Sequence, residues 1–349
     1  MPVWQSLLYN HIIPSIFDAA VMLLLVLIVF TIFRVKNPAT RFVFLFLPML
    51  KSFLILLDNP SQVQLLQSEK ALQKVLRFPD PLNLITSPLN EVAEFSYSSD
   101  AVVLVLLVTG VSVLAVIAAR WLQLFLFFNN FSREESLSRS EYPQVYDILD
   151  RLVPALGVSY PRVVISNLYQ FVPFSVGYRV PIVVISKEFL AEFPDEQLEI
   201  MLAHELAHMR RKDYLTSWLT LMLRDLMFIN PIIHYIYNKL EDEKEKACDR
   251  LALNVTSAAP KTAANMLLDV ALFYSKQPVL QHQTYPMLAK GLLLRQSKLE
   301  HRINSVKQSQ RMKKSSYLRT LLRTTLFVLL VYVQIGVIVN IGGHNIFLR

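Results

Sequence analysis

The apolar positions of this chain fall into two kinds of pattern. Four stretches are apolar on every face: Ile13–Phe33, Phe42–Leu57, Ala101–Ala119 and Leu321–Ile341. Each approaches the roughly 20 residues that a bilayer crossing needs. The second is the shortest and carries Pro48 and Lys51, the latter expected to snorkel or to face the helix bundle. The third ends at Arg120-Trp121, a cation placed to snorkel beside an interfacial aromatic. Arg319 and Arg323 flank the start of the fourth. Residues 1–17 hold no Lys or Arg, so the first stretch is expected to be a span and not a cleaved leader.

Elsewhere the pattern is that of a folded domain. Val145–Leu156 has helical spacing, and Arg162–Ser166 and Val180–Ser186 read as strands separated by Pro173 and Gly177. Pro181 predicts an edge position for the second strand, hence a small sheet with an open edge. Asp195–Lys212 reads as a helix with Asp195 as N-cap behind Pro194. Residues 214–238 resemble a fifth span, but Arg224 and Asp225 lie in its middle and Asn230-Pro231 interrupts it. An amphipathic or kinked segment that does not cross is expected there. The predicted organisation is two spans in 1–57, an outer loop 58–100, a third span with an interfacial extension 101–128, a cytoplasmic domain 129–320, and a fourth span with a short tail 321–349.

Composition narrows the function. Of 349 residues 53% are hydrophobic and 18% charged, with mean hydropathy +0.38, which excludes a disordered chain. The single Cys248 excludes a disulfide framework and a multi-cysteine metal cluster. A net charge of +8 first suggests nucleic acid. The connection between the first two spans, however, holds Arg34, Lys36 and Arg41 and no acid, whereas 58–100 holds 3 basic against 6 acidic residues. Cations collect on the cytoplasmic side of membrane proteins. The charge therefore reads as topology, with both termini outside, and no direct nucleic-acid partner is expected.

Residues 203–209 read AHELAHM. On a helix His204 and His208 project from one face, with Glu205 rotated by roughly 100°. Two imidazoles beside a carboxylate suit a catalytic zinc with Glu205 as base. Such a site needs a third protein ligand, and candidates lie in EDEKEKACDRLAL, 241–253. Glu245 and Asp249 share a helical face, as a ligand and an orienting acid would. Glu241 and Glu243 are rivals by composition. The two halves of the site lie either side of 214–238; a single crossing there would separate them by the membrane.

PFSVGYRVPIVVIS (173–186), HELAHMRRKD (204–213), INP (229–231) and EKACD (245–249), with three spans before and one after, resemble membrane metallopeptidases of the BlaR/MecR antirepressor type. The resemblance covers about 100–342. It implies a mainly α membrane protein with an α+β zincin-like (gluzincin) domain, Zn2+ on His204, His208 and Glu245, Glu205 as catalytic base, and Asp249 as the acid behind a ligand. Arg302, in EHRIN, resembles a downstream arginine that supports the transition state; a helix-surface cation is the alternative. The implied activity is endoproteolysis at the inner face of a bacterial plasma membrane, with a protein or peptide substrate such as a transcriptional repressor. Membrane quality control, CAAX-type processing and a catalytically silent receptor are the other readings. The best-known members carry an outer penicillin-binding sensor after the fourth span; with the chain ending at Arg349, sensing by such a domain is not expected, and loop 58–100, with a helix around Val63–Arg77, is the sizeable outer segment. Cys248 is expected to be a packed thiol, and His234, His282, His301 and His344 have no ligand-spaced partner.

Overall fold

Helix α1 (Ile13–Ile32) opens with Pro14 in its first turn, where a missing N–H costs nothing, and closes at Phe33 and Arg34, the latter at φ 47°. Asn37 Oδ1 accepts the Ala39 N–H at 3.1 Å to start α2 (Pro38–Leu57). The two helices run antiparallel: Ser15 Oγ donates to the Ser52 carbonyl at 3.4 Å, Lys51 Nζ lies 2.5 Å from Asp18 Oδ1, and Phe30 meets Phe44 edge-on nearer the connection. Lys51 thus faces the bundle and does not snorkel. The computed structural model describes residues 12–57, 99–131, 136–165, 173–176, 181–256, 258–275, 299–309 and 325. The fourth predicted span, most of loop 58–100 with its expected helix, His282 and His344 lie outside them.

Among the described residues two helices are long and apolar enough to cross a membrane, through Ser15–Ile32 and Leu107–Phe127. The second belongs to α3 (Ser99–Phe131), a single helix that carries the apolar stretch Ala101–Ala119 and continues after it. It continues because Leu124 and Phe127 find a new apolar partner in the sheet residues Val164, Phe174, Ile182 and Val184. Trp121 is likewise not a free interfacial anchor: its Nε1 donates to Asp225 Oδ2 at 3.1 Å and its ring lies 4.9 Å from that of Trp218. Above this contact α3 shows solvent-sized lengths of bare Leu and Val, including Leu107, Val111 and Leu114, and α1 does the same at Phe17 and Leu24. Apolar faces of that extent are stable in lipid and mark association surfaces in water.

The domain begins with α4 (Pro143–Leu156), whose Val145, Ile148, Leu149, Leu152 and Leu156 form one buried stripe ended by Gly157 at φ 62°. Strands β1 (Arg162–Ile165), β2 (Phe174–Val176) and β3 (Ile182–Ile185) form a sheet of order β1-β3-β2, β1 parallel and β2 antiparallel to β3. The expectation that Pro181 marks an edge strand is wrong. Pro181 precedes β3, so its missing N–H removes no ladder bond, its carbonyl accepts from Arg162 at 2.8 Å, and all four β3 residues are buried in the centre. Beyond β1 a bridge from Ser136 to Val164 begins to cover the ladder, which leaves β2 as the uncovered side among the described residues.

A short helix α5 (Lys187–Glu192), unforeseen in the sequence, starts where Ser186 Oγ accepts the Phe189 N–H at 3.2 Å. In α6 (Asp195–Arg211) the N-cap is Pro194 and not Asp195; Asp195 and Glu196 sit in the first turn, where they favour the positive end of the helix dipole. Lys212 then turns the chain in the left-handed region at φ 54°. Helices α7 (Asp213–Leu226) and α8 (Pro231–Thr256) follow, with Asn230 Oδ1 capping α8 through the Ile232 and Ile233 N–H groups at 3.0 and 3.3 Å. They are antiparallel, since Lys244 Nζ reaches Ser217 Oγ at 2.8 Å and Cys248 reaches Asp213 at 3.1 Å. Residues 214–238 therefore reverse the chain, a sharper change of direction at Asn230-Pro231 than the kinked or amphipathic segment expected. Arg224 and Asp225 neutralise each other at 2.6 Å. Helices α9 (Pro260–Ser275) and α10 (Leu299–Ser309) complete the described chain. One apolar core joins α4, α5, α6 and α9 to the sheet, and another joins α1 and α2 to the α7–α8 reversal through Leu223, Met227, Ile233, Ile236 and Leu240.

Candidate metal centre

Helix α6 is buried along Leu198–Ala207, so His204 and Glu205 are held inside the domain, each 6% exposed. One turn later His208 brings its Nε2 to 3.0 Å from that of His204. Helix α8, returned by the reversal, adds Glu245: Oε2 lies 3.4 Å from His204 Nε2 and Oε1 3.7 Å from His208 Nε2. These three donor atoms lie within 4.8 Å of one another. Tetrahedral zinc with bonds of about 2.0–2.2 Å separates its donors by roughly 3.3–3.6 Å. The residues present fit such an ion. Of the rivals, Glu241 pairs with Lys244 at 2.8 Å, and Glu243 with Lys246 at 3.3 Å and Arg41 at 3.5 Å. Cations claim both, and only Glu245 meets the imidazoles.

Each imidazole has a carboxylate behind it, hydrogen-bonded at His208 and in close ion-pair contact at His204. Asp249 Oδ1 is 2.9 Å from His204 Nδ1, and Asp213 Oδ2 is 2.8 Å from His208 Nδ1. A carboxylate on Nδ1 fixes the ring and directs the Nε2 lone pair inward. Each carboxylate in turn receives an arginine. Arg302 donates to Asp249 through Nε at 2.9 Å and Nη2 at 2.6 Å, and its Nη1 lies 3.3 Å from Glu245 Oε2. Arg211 Nε donates to both oxygens of Asp213 at 3.2 Å. Arg302 is thus no surface cation. Its guanidinium joins α10 to two acids of α8.

The sequence reading missed Asp213 and Arg211. No periodicity marks them, because a lysine, not a glycine, takes the left-handed turn that folds Asp213 back under His208. The HELAHMRRKD stretch contained both residues, and an Asp five positions after the second histidine was the available signal.

Burial alone would lower the His204 pKa, but Asp249 and Glu245 outweigh it and lift it to about 10. Burial works against ionisation of Asp249 and Glu245; Arg302 reverses that, holding Asp249 at about 2 and Glu245 well below the usual carboxylate range. Burial raises Glu205, with the two histidines and a hydrogen bond to Ser175 of β2 acting against it. A carboxyl group so placed holds a proton more readily than one in water. Cys248 is fully buried, its Sγ donating to Asp213 Oδ2 at 3.1 Å, and burial pushes its thiol well up. It is a packed thiol, as expected. His234 accepts a structural duty instead of a ligand role, its Nε2 lying 3.0 Å from the Phe228 carbonyl in the reversal.

Comparison with known proteins points to peptidases. The regulatory protein BlaR1 of Staphylococcus aureus is 24% identical over 163 residues, covering 46% of this chain and 26% of that protein. BlaR1 of Bacillus licheniformis is 29% identical over 77 residues, 22% of this chain and 13% of that one. A protease HtpX homolog of Salinibacter ruber is 35% identical over 86 residues, 24% of this chain and 31% of that one. The chain thus spans less than a third of the length of each of these relatives. A family model described as BlaR1 peptidase M56 matches residues 11–306, from the first apolar helix to the helix that carries Arg302. By that match, over most of its length, the chain belongs to the BlaR1 peptidase M56 family of membrane-associated metallopeptidases.

Proposed function

We propose that this protein is an integral-membrane zinc endopeptidase that cuts peptide bonds at a cytoplasm-facing site, in signalling by regulated proteolysis of a repressor or of a membrane protein. The observation that carries the reading is the meeting of His204, His208 and Glu245 from two helices, with 3.0–3.7 Å between donors and a carboxylate behind each imidazole. Zinc bound there would polarise the scissile carbonyl and lower the pKa of water toward about 7. Glu205, next to His204 on α6, takes the proton of the attacking water and passes it to the leaving amine. Asp249 and Asp213 keep the two rings oriented. Arg302 is a positioning residue, acting through Asp249 and Glu245. An extended substrate adds to the uncovered side of β2, whose Ser175 already touches Glu205, so main-chain pairing would deliver the peptide bond beside the base.

The topology we propose has four spans: α1, α2, α3 and 321–341. Both termini lie outside, and the domain lies with the basic connection Arg34–Arg41. The α7–α8 reversal keeps its two ends on one side. A second reading is membrane-protein quality control with the same site; the similarity to proteins named protease HtpX homologs supports a protease under either reading. Quantitative comparison of peptide termini in cells carrying wild type or Glu205→Gln tests both. A single lost cleavage in a regulator supports signalling; loss spread over many membrane proteins supports quality control. An unchanged set of termini would overturn the peptidase assignment.

A further inference from the structure

A cavity of about 260 Å³ lies between the α1–α2 connection, the middle of α8 and the start of α10. Its charged lining is Lys36, Arg41, Lys246 and Arg250 against Glu243 and Asp249. Both acids are already engaged. Glu243 is shared by Arg41 and Lys246, and Asp249 is held by Arg302 and His204. Among the described residues Lys36 and Arg250 have no carboxylate within ion-pair distance, and the buried Nε of Arg41 has no acceptor. A buried guanidinium N–H without an acceptor is expensive, and a cavity with surplus positive charge beside it is suited to an anion.

The position says which anion. Lys36, Pro38 and Arg41 belong to the connection after α1 and the first turn of α2. In the topology proposed above this is the level of the cytoplasmic headgroups. Exposed Ile28, Ile32 and Phe33 fill the last turns of α1 just before it, so a headgroup seated here leaves its acyl chains beside an apolar helix. We propose that the cavity binds the phosphate headgroup of an anionic phospholipid from the cytoplasmic leaflet. The bound lipid bridges α2, α8 and α10, the last two of which carry Glu245, Asp249 and Arg302. The proposal rests on the cytoplasmic placement of the α1–α2 connection and not on peptidase chemistry.

The test uses the full chain in phosphatidylcholine nanodiscs doped with phosphatidylglycerol, with retained lipid counted by native mass spectrometry. Wild type should retain one phosphatidylglycerol. Near a membrane surface each Lys or Arg contributes about fivefold in affinity, so K36Q and R250Q should each lower retention by about that factor, and the pair by about 25-fold. Lys36 is exposed in a connection, so K36Q remains informative even where R250Q disturbs α8. Unchanged retention in K36Q or in the pair overturns the proposal. Wild type that binds inorganic phosphate from solution but keeps no phosphatidylglycerol overturns it equally, since the site would then serve a free anion. E205Q should retain lipid as wild type does, so failure of the peptidase reading and failure of the lipid site appear on separate readouts.

Discussion

The two imidazoles of the metal centre are built alike but assembled differently. His204, Asp249 and Arg302 form one chain of contacts; His208, Asp213 and Arg211 form the other. The first draws on three helices separated by nearly a hundred residues. The second is made within six residues, where α6 ends and α7 begins. One half is therefore a tertiary contact, dependent on α8 and α10 docking, and the other is nearly local structure. The same arrangement, an imidazole backed by a carboxylate, is reached once by packing and once by a strained turn.

Breaking that comparison at its centre gives the largest effect. His204→Ala and Glu245→Ala should each abolish stoichiometric zinc, measured by elemental analysis of chelator-free protein, and activity with it. Full occupancy in Glu245→Ala would show the third ligand to be another residue. Glu205→Gln should keep the metal and lose roughly 10²–10⁴-fold or more in turnover. Next come the carboxylates behind the rings. Asp249→Ala and Asp213→Ala should each weaken zinc about 10–100-fold by competition with a chromophoric chelator. Only Asp249→Ala should also loosen α10, read as faster limited proteolysis near Leu299–Ser309. Equal proteolysis in the two variants would erase the distinction between a tertiary and a local half.

Acid sharpens the comparison further. In the metal-free protein His204 is held near 10 and is protonated at neutral pH, and zinc takes only the neutral ring. Zinc uptake should therefore release a proton, and affinity should rise with pH up to about 10 and fall as pH drops. Titration calorimetry in buffers of different ionisation enthalpy measures this; no proton release would contradict it. The smallest effect is expected at the turn itself. Lys212 occupies a left-handed conformation at φ 54°, so Lys212→Gly should stabilise by about 1 kcal/mol in a denaturant titration.

What the sequence revealed follows the same division. The helical pair His204 and His208, the stripe Val145–Leu156 and the break at Asn230-Pro231 are set by neighbours three or four residues away, and periodicity reports them. Pro181 misled because a proline one residue before a strand looks, in one dimension, like a proline within it. β2 is three residues long and α5 six, too short to carry a period. Choosing Glu245 over Glu241 and Glu243 required knowing which acids meet cations from other elements, and Arg41 reaches Glu243 from two hundred residues away. That α3 after Arg120 packs on the sheet through Leu124 and Phe127 is not announced by its own residues.

Lys51 and Asp18, 2.5 Å apart between α1 and α2, also constrain how the chain is made. In the proposed topology, a growing polypeptide that had inserted α1 alone would strand a carboxylate in hydrocarbon, at several kcal/mol on insertion scales, until its lysine arrived. Entry of the first two helices as a pair would remove that cost, each charge arriving with its counter-ion.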